Sequence, residues 1–369
     1  MVAQTADRKQ AQEEVTAWNA AYGIGTRVVV DHYEGVQITR TEAMLLFDRR
    51  PAIYLEGFNG YFDLSDVHPE REAAAPVKSI LETDLPVDQT LAYMFPGQGS
   101  QAVGMGEGLF DTFPELTQRA DQILGYSIRQ LCLEDPDGVI AQTDYTQPAL
   151  FVVNALSYLQ RMKEKGVRPG YVLGHSLGEY SALFAAEVFD FETGLRLVQK
   201  RGALMAEAKG GGMAAVIGMD ATRVAEVLEQ HGLDAIDVAN HNTPVQTVIS
   251  GLEADVLSAQ PVFMEAGARV FIPLKVSGAF HSRYMADAQQ AFRAFMDALS
   301  FAVPRIPVIA NVTALPHEEG TIRDVLAQQL ISPVRWIDSI RYLERQRVAT
   351  FEEVGPGTVL GGMIAAIRR

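Results

Sequence analysis

Apolar and polar positions along the chain follow two different rhythms, which separate a β-rich beginning from a longer α/β region. Within residues 1–70, an amphipathic stretch at 8–22 precedes short runs such as "GTRVVV" and "IYLEGFNGYFDL", broken by Gly, Asp and Asn-Gly turns. We expect a leading helix and a small β-rich module there. Residues 71–89 are mixed in charge and contain two prolines, so they are predicted to form a linker.

From residue 90 onward, apolar runs of strand length alternate with stretches of helical periodicity. "LAYMF" and "YVLG" have the continuous apolarity of buried strands, while "TQPALFVVNALSYLQRMKEKG" repeats its apolar positions as a helix does. We expect Thr146 to cap the start of this helix and Gly166 to follow its end. Such alternation is typical of an α/β protein with a parallel sheet and helices on both faces.

Residues 213–275 have a pattern of their own. Strand-like "MAAVIGM", helical "DATRVAEVLEQHG", strand-like "IDVANHN" and "QTVISG", helical "EADVLSAQPVFMEAG" and strand-like "RVFIPL" follow one another. This β-α-β-β-α-β order is that of the ferredoxin-like motif. Because α/β character resumes afterwards with "RIPVIANVT", we expect a ferredoxin-like subdomain inserted into a core formed by residues 90–212 and 276–369.

The composition narrows the class of protein without changing this picture. With 48% hydrophobic and 21% charged residues, the 369-residue chain is typical of soluble globular proteins. Its net charge of −15 disfavours nucleic acid as a partner. The lack of both a long apolar run and a signal-peptide pattern predicts no membrane association and a cytoplasmic location. The single cysteine, Cys132, excludes a disulfide framework and a cysteine metal cluster, and we expect no metal site.

Residues 171–187, "YVLGHSLGEYSALFAAE", carry the most informative short motif. Ser176 lies between Gly174 and Gly178, directly after an apolar strand, in the G-x-S-x-G pattern of a nucleophile elbow. A side chain at either glycine is expected to collide with the neighbouring strand or helix. Such short patterns also recur by chance, so the motif alone leaves an ordinary glycine turn as the alternative.

A serine hydroxyl needs a base within hydrogen-bonding distance to act as a nucleophile. Of the seven histidines, His175 adjoins the serine but is expected to point away from it, and His317 lies in the charged loop "PHEEG". His281, in "KVSGAFHSRYM", comes where the insert would rejoin the core, and clefts form at such junctions. Position alone leaves His281 either the base or a structural histidine.

Eight motifs follow one another along the chain: "FPGQGSQ", "TQPAL", "GHSLGEY", "QKRGALM", "VANHNTP", "GAFHS", "PVRW" and "EVGPG". Together they resemble the malonyl-CoA:acyl-carrier-protein transacylase family, which includes acyltransferases of fatty-acid and polyketide synthesis. The resemblance covers about residues 90–369. It implies a hydrolase-like α/β core with a ferredoxin-like insert, in agreement with the order of strands and helices above.

The resemblance implies a covalent mechanism with two half-reactions. Ser176 would take the acyl group as an ester. His281 would remove the serine proton, protonate the departing CoA thiolate and later activate the phosphopantetheine thiol of a carrier protein. The backbone carbonyl of Gln329 would orient the imidazole in place of a triad carboxylate. Backbone N–H groups of Leu177 and Gln98 would form the oxyanion hole, where such donors contribute about 2.7–4 kcal/mol each. No cofactor is implied.

The resemblance also assigns a substrate pocket. Arg201, which could otherwise be a solvated helical arginine, would bind the free carboxylate of a malonyl group through two parallel hydrogen bonds. Phe280, directly before the histidine, would favour malonyl over methylmalonyl because its ring would crowd the α-methyl group. Gln147, Asn240 and Asn242 either line the site or organise loops.

We therefore expect an acyltransferase that moves a malonyl group from malonyl-CoA through a seryl ester to an acyl carrier protein, or to a carrier domain of a polyketide or fatty-acid synthase. Residues 1–70 have no counterpart in the simple stand-alone enzymes, and the chain is expected to act in trans as a discrete enzyme. A proofreading hydrolase that releases carrier-bound acyl groups to water is the alternative. A catalytically silent scaffold is a third hypothesis, which the intact serine, histidine and arginine disfavour.

Overall fold

The structure is a computed structural model, and its contacts divide the chain into two units, Met1–Ser79 and Ile80–Arg369. Most of the predicted linker at 71–89 lies outside the described residues. The residues that the structure describes are 2–21, 24–30, 36–46, 50–69 and 85–369.

The first unit is a helix followed by short antiparallel strands. The helix α1, Val2–Ala21, begins earlier than the helix predicted at 8–22. The strands are β1 Arg27–Val30, β2 Val36–Ile38, β3 Met44–Leu46, β4 Arg50–Tyr54, β5 Tyr61–Asp63 and β6 Val67–Pro69. They form two three-stranded sheets, ordered β2-β1-β6 and β3-β4-β5. Val28, Ile53 and Val67 belong to one apolar cluster, so the two sheets share a single core.

The second unit is built on a parallel sheet of four strands. They are β7 Val87–Phe95, β8 Arg168–Gly174, β13 Val308–Ile309 and β14 Thr350–Glu353. Their order is β13-β8-β7-β14, and every neighbouring pair is parallel. The predicted strands "LAYMF" and "YVLG" lie in the two central positions. All of their residues except Tyr171 are buried, as their continuous apolarity predicts.

Helices cover both faces of this sheet, because successive side chains of a strand point to opposite sides. On β7, Tyr93 and Phe95 contact the ring of Tyr158 on one face, while Ala92 and Met94 belong to an apolar cluster on the other. No helix in the described part of the chain is long and apolar enough to cross a bilayer. The helices of this region are α2 Leu109–Thr112, α3 Pro114–Leu124, α4 Ile128–Leu133, α5 Thr143–Lys165, α6 Gly178–Ala185, α7 Phe191–Glu207, α11 Ala286–Asp297, α12 Ile322–Gln329, α13 Trp336–Arg345 and α14 Val359–Ile367.

The helix α5 begins one turn before its predicted cap. Gln142 occupies the N-cap position, and Thr146 lies inside the helix, where its hydroxyl donates to the carbonyl of Ile140 at 2.6 Å. The expectation that Thr146 is the N-cap is therefore wrong. Gly166 ends the helix in the left-handed conformation, as predicted.

The ferredoxin-like subdomain has the predicted order of elements. They are β9 Gly211–Ile217, α8 Ala221–Gln230, β10 Ile236–Thr243, β11 Gln246–Leu252, α9 Glu253–Ser258, α10 Gln260–Glu265 and β12 Val270–Pro273. The antiparallel sheet is ordered β10-β11-β9-β12. The single helix predicted from "EADVLSAQPVFMEAG" is instead two helices, because Pro261 starts a new first turn and cannot continue the hydrogen bonding of the preceding one.

Candidate active site

Ser176 lies at the sharp turn between β8 and α6. Its φ of 51° is in the left-handed region, which non-glycine residues rarely adopt. A Cβ added at Gly174 would lie 1.9 Å from the carbonyl carbon of Gly178, and one added at Gly178 would lie 2.0 Å from the carbonyl oxygen of Phe95. The predicted collisions are confirmed, so both positions require glycine and the serine is held at the tip of a strained turn.

Asn311 stabilises this turn. Its side-chain oxygen accepts a hydrogen bond from the backbone N–H of Ser176 at 2.7 Å, and its side-chain nitrogen donates to the carbonyl of Gly174 at 2.7 Å. Sequence reasoning assigned Asn311 no role. The available signal was its position just after β13, because residues at the carboxyl ends of neighbouring parallel strands meet at one edge of the sheet.

The structure brings His281 to the serine from the segment that leaves the ferredoxin-like subdomain. The Ser176 hydroxyl and the His281 Nε2 are 2.8 Å apart, and the His281 Nδ1 is 2.8 Å from the backbone carbonyl oxygen of Gln329. A carbonyl can only accept, so Nδ1 carries the proton and Nε2 of the neutral ring accepts from the serine hydroxyl. This is the arrangement that a general base for the serine requires.

The environment keeps this imidazole neutral. Burial, followed by the positive charge of Arg201, lowers the pKa of His281 to about 3. A backbone carbonyl partly offsets this by accepting from Nδ1, but it supplies less stabilisation of an imidazolium than a carboxylate would. The ring is therefore neutral at neutral pH, and its Nε2 is free to accept a hydrogen bond from the serine hydroxyl.

Arg201 of α7 is fully buried and points at the same serine. Its Nη2 donates to the Ser176 hydroxyl at 3.1 Å and to the side-chain oxygen of Gln329 at 2.9 Å, while Nη1 donates to the side-chain oxygen of Gln147 at 2.8 Å. The guanidinium carbon lies 5.3 Å from the centre of the Tyr180 ring. The alternative of a solvated helical arginine is thus contradicted by its 1% exposure.

The charge of this guanidinium is not neutralised by a bonded carboxylate. Within the described ranges, no carboxylate oxygen lies within ion-pair distance of Arg201, and its Nε has no hydrogen-bond partner. Burial lowers the pKa of Arg201. A buried cation without a counter-ion is costly, so binding of an anionic group next to Arg201 would be favoured.

The loop after β7 packs directly against the elbow. A Cβ added at Gly97 would lie 2.2 Å from the carbonyl oxygen of His175 and 3.7 Å from the backbone nitrogen of Leu177. Neither the Leu177 N–H nor the Gln98 N–H donates to another group in the part of the chain that the structure describes. Both remain available to a ligand oxygen.

The other residues singled out from the sequence lie around this centre in different ways. The side-chain oxygen of Asn242 accepts from Nε2 of the buried His175 ring at 2.9 Å, which engages that histidine away from the serine. The side-chain oxygen of Asn240 is buried without a partner among the described residues. The Phe280 ring is buried close to Gly278, where an added Cβ would lie 2.6 Å from it.

A buried carboxylate behind the elbow was missed from the sequence. Glu179 accepts from the side chain of Gln329 at 2.6 Å and from the backbone N–H of Asn311 at 3.1 Å, and its second oxygen lies 2.7 Å from Nε2 of His317. Both Glu179 and His317 have 0% side-chain exposure, although "PHEEG" reads as a solvated loop. The available signal was the position of Glu179 directly after the elbow glycine, at the start of an almost wholly apolar helix.

A serine at a strained turn, with a neutral imidazole accepting from its hydroxyl, can act as a nucleophile and carry an acyl group. Residues 92–366 match the acyl transferase domain family. The chain belongs to that family and is an acyltransferase.

The similar proteins agree with this class. The chain is 54% identical over 279 residues to the polyketide biosynthesis protein PksE of Bacillus subtilis, covering 75% of this chain and 36% of that longer protein. It is 54% identical over 279 residues to the polyketide biosynthesis malonyl CoA-acyl carrier protein transacylase BaeC of Bacillus velezensis, covering 75% of this chain and 96% of BaeC. A crystal structure of malonyl CoA-acyl carrier protein transacylase from Burkholderia pseudomallei, 48% identical, superposes with a TM-score of 0.74 and covers 76% of this chain and 99% of that one.

Proposed function

We propose that the protein transfers a malonyl group from malonyl-CoA, through an ester on Ser176, to the phosphopantetheine thiol of an acyl carrier protein. The observation that carries the proposal is the buried Arg201, which lies 3.1 Å from the serine hydroxyl and lacks a carboxylate partner among the described residues. The free carboxylate of a malonyl group would supply that partner. The name of the relative BaeC supports the same donor and acceptor, in polyketide biosynthesis.

In the first half-reaction, the Ser176 oxygen attacks the thioester carbonyl while Nε2 of His281 takes the serine proton. The negative oxygen that forms is held by the N–H groups of Leu177 and Gln98, each worth about 2.7–4 kcal/mol in comparable sites. The carbon–sulfur bond then breaks, and the imidazolium gives its proton to the CoA thiolate. The result is a malonyl ester on the serine and free CoA.

In the second half-reaction, the neutral imidazole takes the proton of the carrier's phosphopantetheine thiol, and the sulfur attacks the ester. The carbon–oxygen bond breaks, and the serine oxygen regains the proton from His281. The Gln329 carbonyl keeps the imidazole in one tautomer through both halves. No cofactor takes part, because the acyl group is carried in turn by CoA, serine and phosphopantetheine.

Arg201 selects the donor by charge and Phe280 by size. A guanidinium bound to a carboxylate favours malonyl over acetyl, which would leave the buried cation unpaired. The Phe280 ring disfavours a methylmalonyl group by about 1–3 kcal/mol, the usual discrimination for one methyl. Gln147 orients Arg201 through its side-chain oxygen. Asn242 on β10 holds the histidine next to the nucleophile through its side-chain oxygen, and the buried side-chain oxygen of Asn240 stays open to the bound substrate. The cytoplasmic location stays a prediction.

The test separates transfer from hydrolysis. The enzyme is mixed with malonyl-CoA and an excess of a phosphopantetheinylated acyl carrier protein, and loaded carrier and free malonate are both measured by mass spectrometry. We expect loaded carrier to dominate, and a Ser176→Ala variant to form neither product. Free malonate as the main product, with carrier in excess, would assign the protein to the hydrolases instead.

A further inference from the structure

The side chain of Gln329 connects the buried cation to the buried carboxylate. Its oxygen accepts from Arg201 at 2.9 Å, and its nitrogen donates to the backbone carbonyl of Ser176 at 3.0 Å and to Glu179 at 2.6 Å. The backbone carbonyl of the same residue accepts from His281. One residue therefore touches the base, the backbone of the serine and the cation.

The partners of this amide dictate its orientation. A carboxylate can only accept hydrogen bonds and a guanidinium can only donate them. Rotating the Gln329 amide by half a turn would place its NH2 against Arg201 and its oxygen against Glu179, so that donor faces donor and acceptor faces acceptor. Such a mispaired buried group is expensive, because it can find no water in compensation.

Glu179 is itself held from the far side. His317 lies 2.7 Å from one carboxylate oxygen, while the other oxygen accepts from the backbone N–H of Asn311 and from Gln329. The two oxygens therefore have separate tasks. One is anchored by an imidazole that has no hydrogen bond to Gln329 or Arg201 among the described residues, and the other faces the site.

We propose that Glu179 is a positioning residue: it fixes which end of the Gln329 amide faces Arg201, and thereby holds the guanidinium against the Ser176 hydroxyl as a clamp for the anionic end of the donor. The proposal rests on the proposed function, since it explains how the malonyl clamp is kept in place. Without the carboxylate, the Gln329 amide loses its shortest contact, and only Arg201 and the Ser176 carbonyl still define its orientation, so the guanidinium is held less firmly.

Three variants separate this role from a purely structural one. Glu179→Met removes the acceptor, while Glu179→Gln keeps an oxygen for Gln329 and turns its NH2 to His317, whose tautomer can change to accept it. His317→Phe is the matched control, because it removes a partner of the same carboxylate on the side away from Gln329. Each variant is offered equimolar malonyl-CoA and acetyl-CoA, and the two acyl-enzymes are measured by mass spectrometry beside the melting temperature.

We expect Glu179→Met to lower the malonyl-to-acetyl ratio about tenfold, the usual consequence of losing one charge-assisted buried hydrogen bond. Glu179→Gln should stay within about twofold of the wild type, because the amide orientation is kept. His317→Phe should lower the melting temperature and leave the ratio unchanged. Where Glu179→Met yields no folded protein, Gln329→Met, which removes the amide and keeps the backbone carbonyl, should give the same loss of selectivity.

Two results would overturn the proposal. In one, Glu179→Met, or Gln329→Met in its place, keeps the wild-type ratio, which would make Glu179 a structural residue only. In the other, Glu179→Gln loses as much selectivity as Glu179→Met. This would show that the negative charge of Glu179, and not the orientation of the Gln329 amide, determines the malonyl-to-acetyl ratio. Failure of the proposed function is distinguishable from both, because the wild type itself would then show no preference for malonyl.

Discussion

Arg201 and Glu179 are two fully buried, oppositely charged side chains that share the partner Gln329, yet their surroundings differ. The Glu179 carboxylate receives two hydrogen bonds on one oxygen and contacts an imidazole with the other, so all of its charge is engaged by protein. Arg201 has only neutral oxygen acceptors, and its Nε has none in the described part of the chain.

The difference distinguishes a buried charge that supports the structure from one that takes part in the function of the site. A buried charge that the protein satisfies completely holds the structure in one arrangement, whereas one left without its counter-ion calls for an external partner. The Glu179 side of the site therefore fixes the elbow and the amide of Gln329. The Arg201 side faces the serine hydroxyl and is complete only when an anionic group is bound.

The largest expected effect comes from removing the nucleophile, which should abolish transfer but leave the stability of the protein unchanged. Ser176→Ala should lower malonyl transfer by at least about 10⁴-fold, as loss of the nucleophile does in other serine enzymes. It should leave the melting temperature close to that of the wild type, because the Glu179 contacts do not use the hydroxyl. Acyl-enzyme mass and thermal unfolding check both halves; a malonyl adduct that persists in Ser176→Ala would place the nucleophile elsewhere.

For the contact between Glu179 and His317, the expected effect is on the stability of the protein. His317→Phe removes the donor to a buried carboxylate and should lower the free energy of unfolding by about 2 kcal/mol. His317→Gln, which can place an amide nitrogen near the same position, should restore most of it. Urea unfolding of the three proteins measures this. Equal stability of wild type and His317→Phe would show that the carboxylate does not depend on the imidazole.

The smallest expected effect is a displacement of the pH profile. Because burial and Arg201 lower the pKa of His281 to about 3, its neutral form persists well below pH 6.5, where an ordinary histidine becomes protonated. The kcat/KM for acylation, which reports the free enzyme, should stay constant from about pH 8 to about pH 5. Arg201→Met removes a positive charge, so it should raise the pKa and move the acidic limb upward. A limb near 6.5 that Arg201→Met leaves in place would contradict this electrostatic account.

Much of the fold could be predicted because its signals are local. The continuous apolarity of "LAYMF" and "YVLG" identifies buried parallel strands, and the two glycines around Ser176 report a turn that no larger residue can make. The order of elements in the subdomain followed in the same way. The failure at the start of α5 is local too: threonine is a common cap residue, but the helix begins one turn before Thr146 and Gln142 occupies the cap position.

In the active site, residues within recognisable motifs could be predicted from the sequence, whereas residues buried by long-range contacts could not. Ser176 could be named from the elbow motif, position left the role of His281 open, and the resemblance supplied the roles of His281 and Arg201. The structure brings the three side chains together. Glu179 and His317 were not named, because a glutamate beside a helix start and a histidine in a charged loop look solvated. Their burial arises from a contact between residues 138 positions apart, which no local pattern reports.

The central claim is that Arg201 is unpaired because the donor supplies its counter-ion. Equimolar malonyl-CoA and acetyl-CoA, offered together to the wild type and to Arg201→Met, test it through the mass of the acyl group on Ser176. We expect the wild type to carry malonyl, and Arg201→Met to lose malonyl acylation about 100-fold with a relative gain of acetyl, since the charged contact is gone and no buried cation is left unsatisfied. An equal fall for both donors would contradict the account and make Arg201 a structural residue.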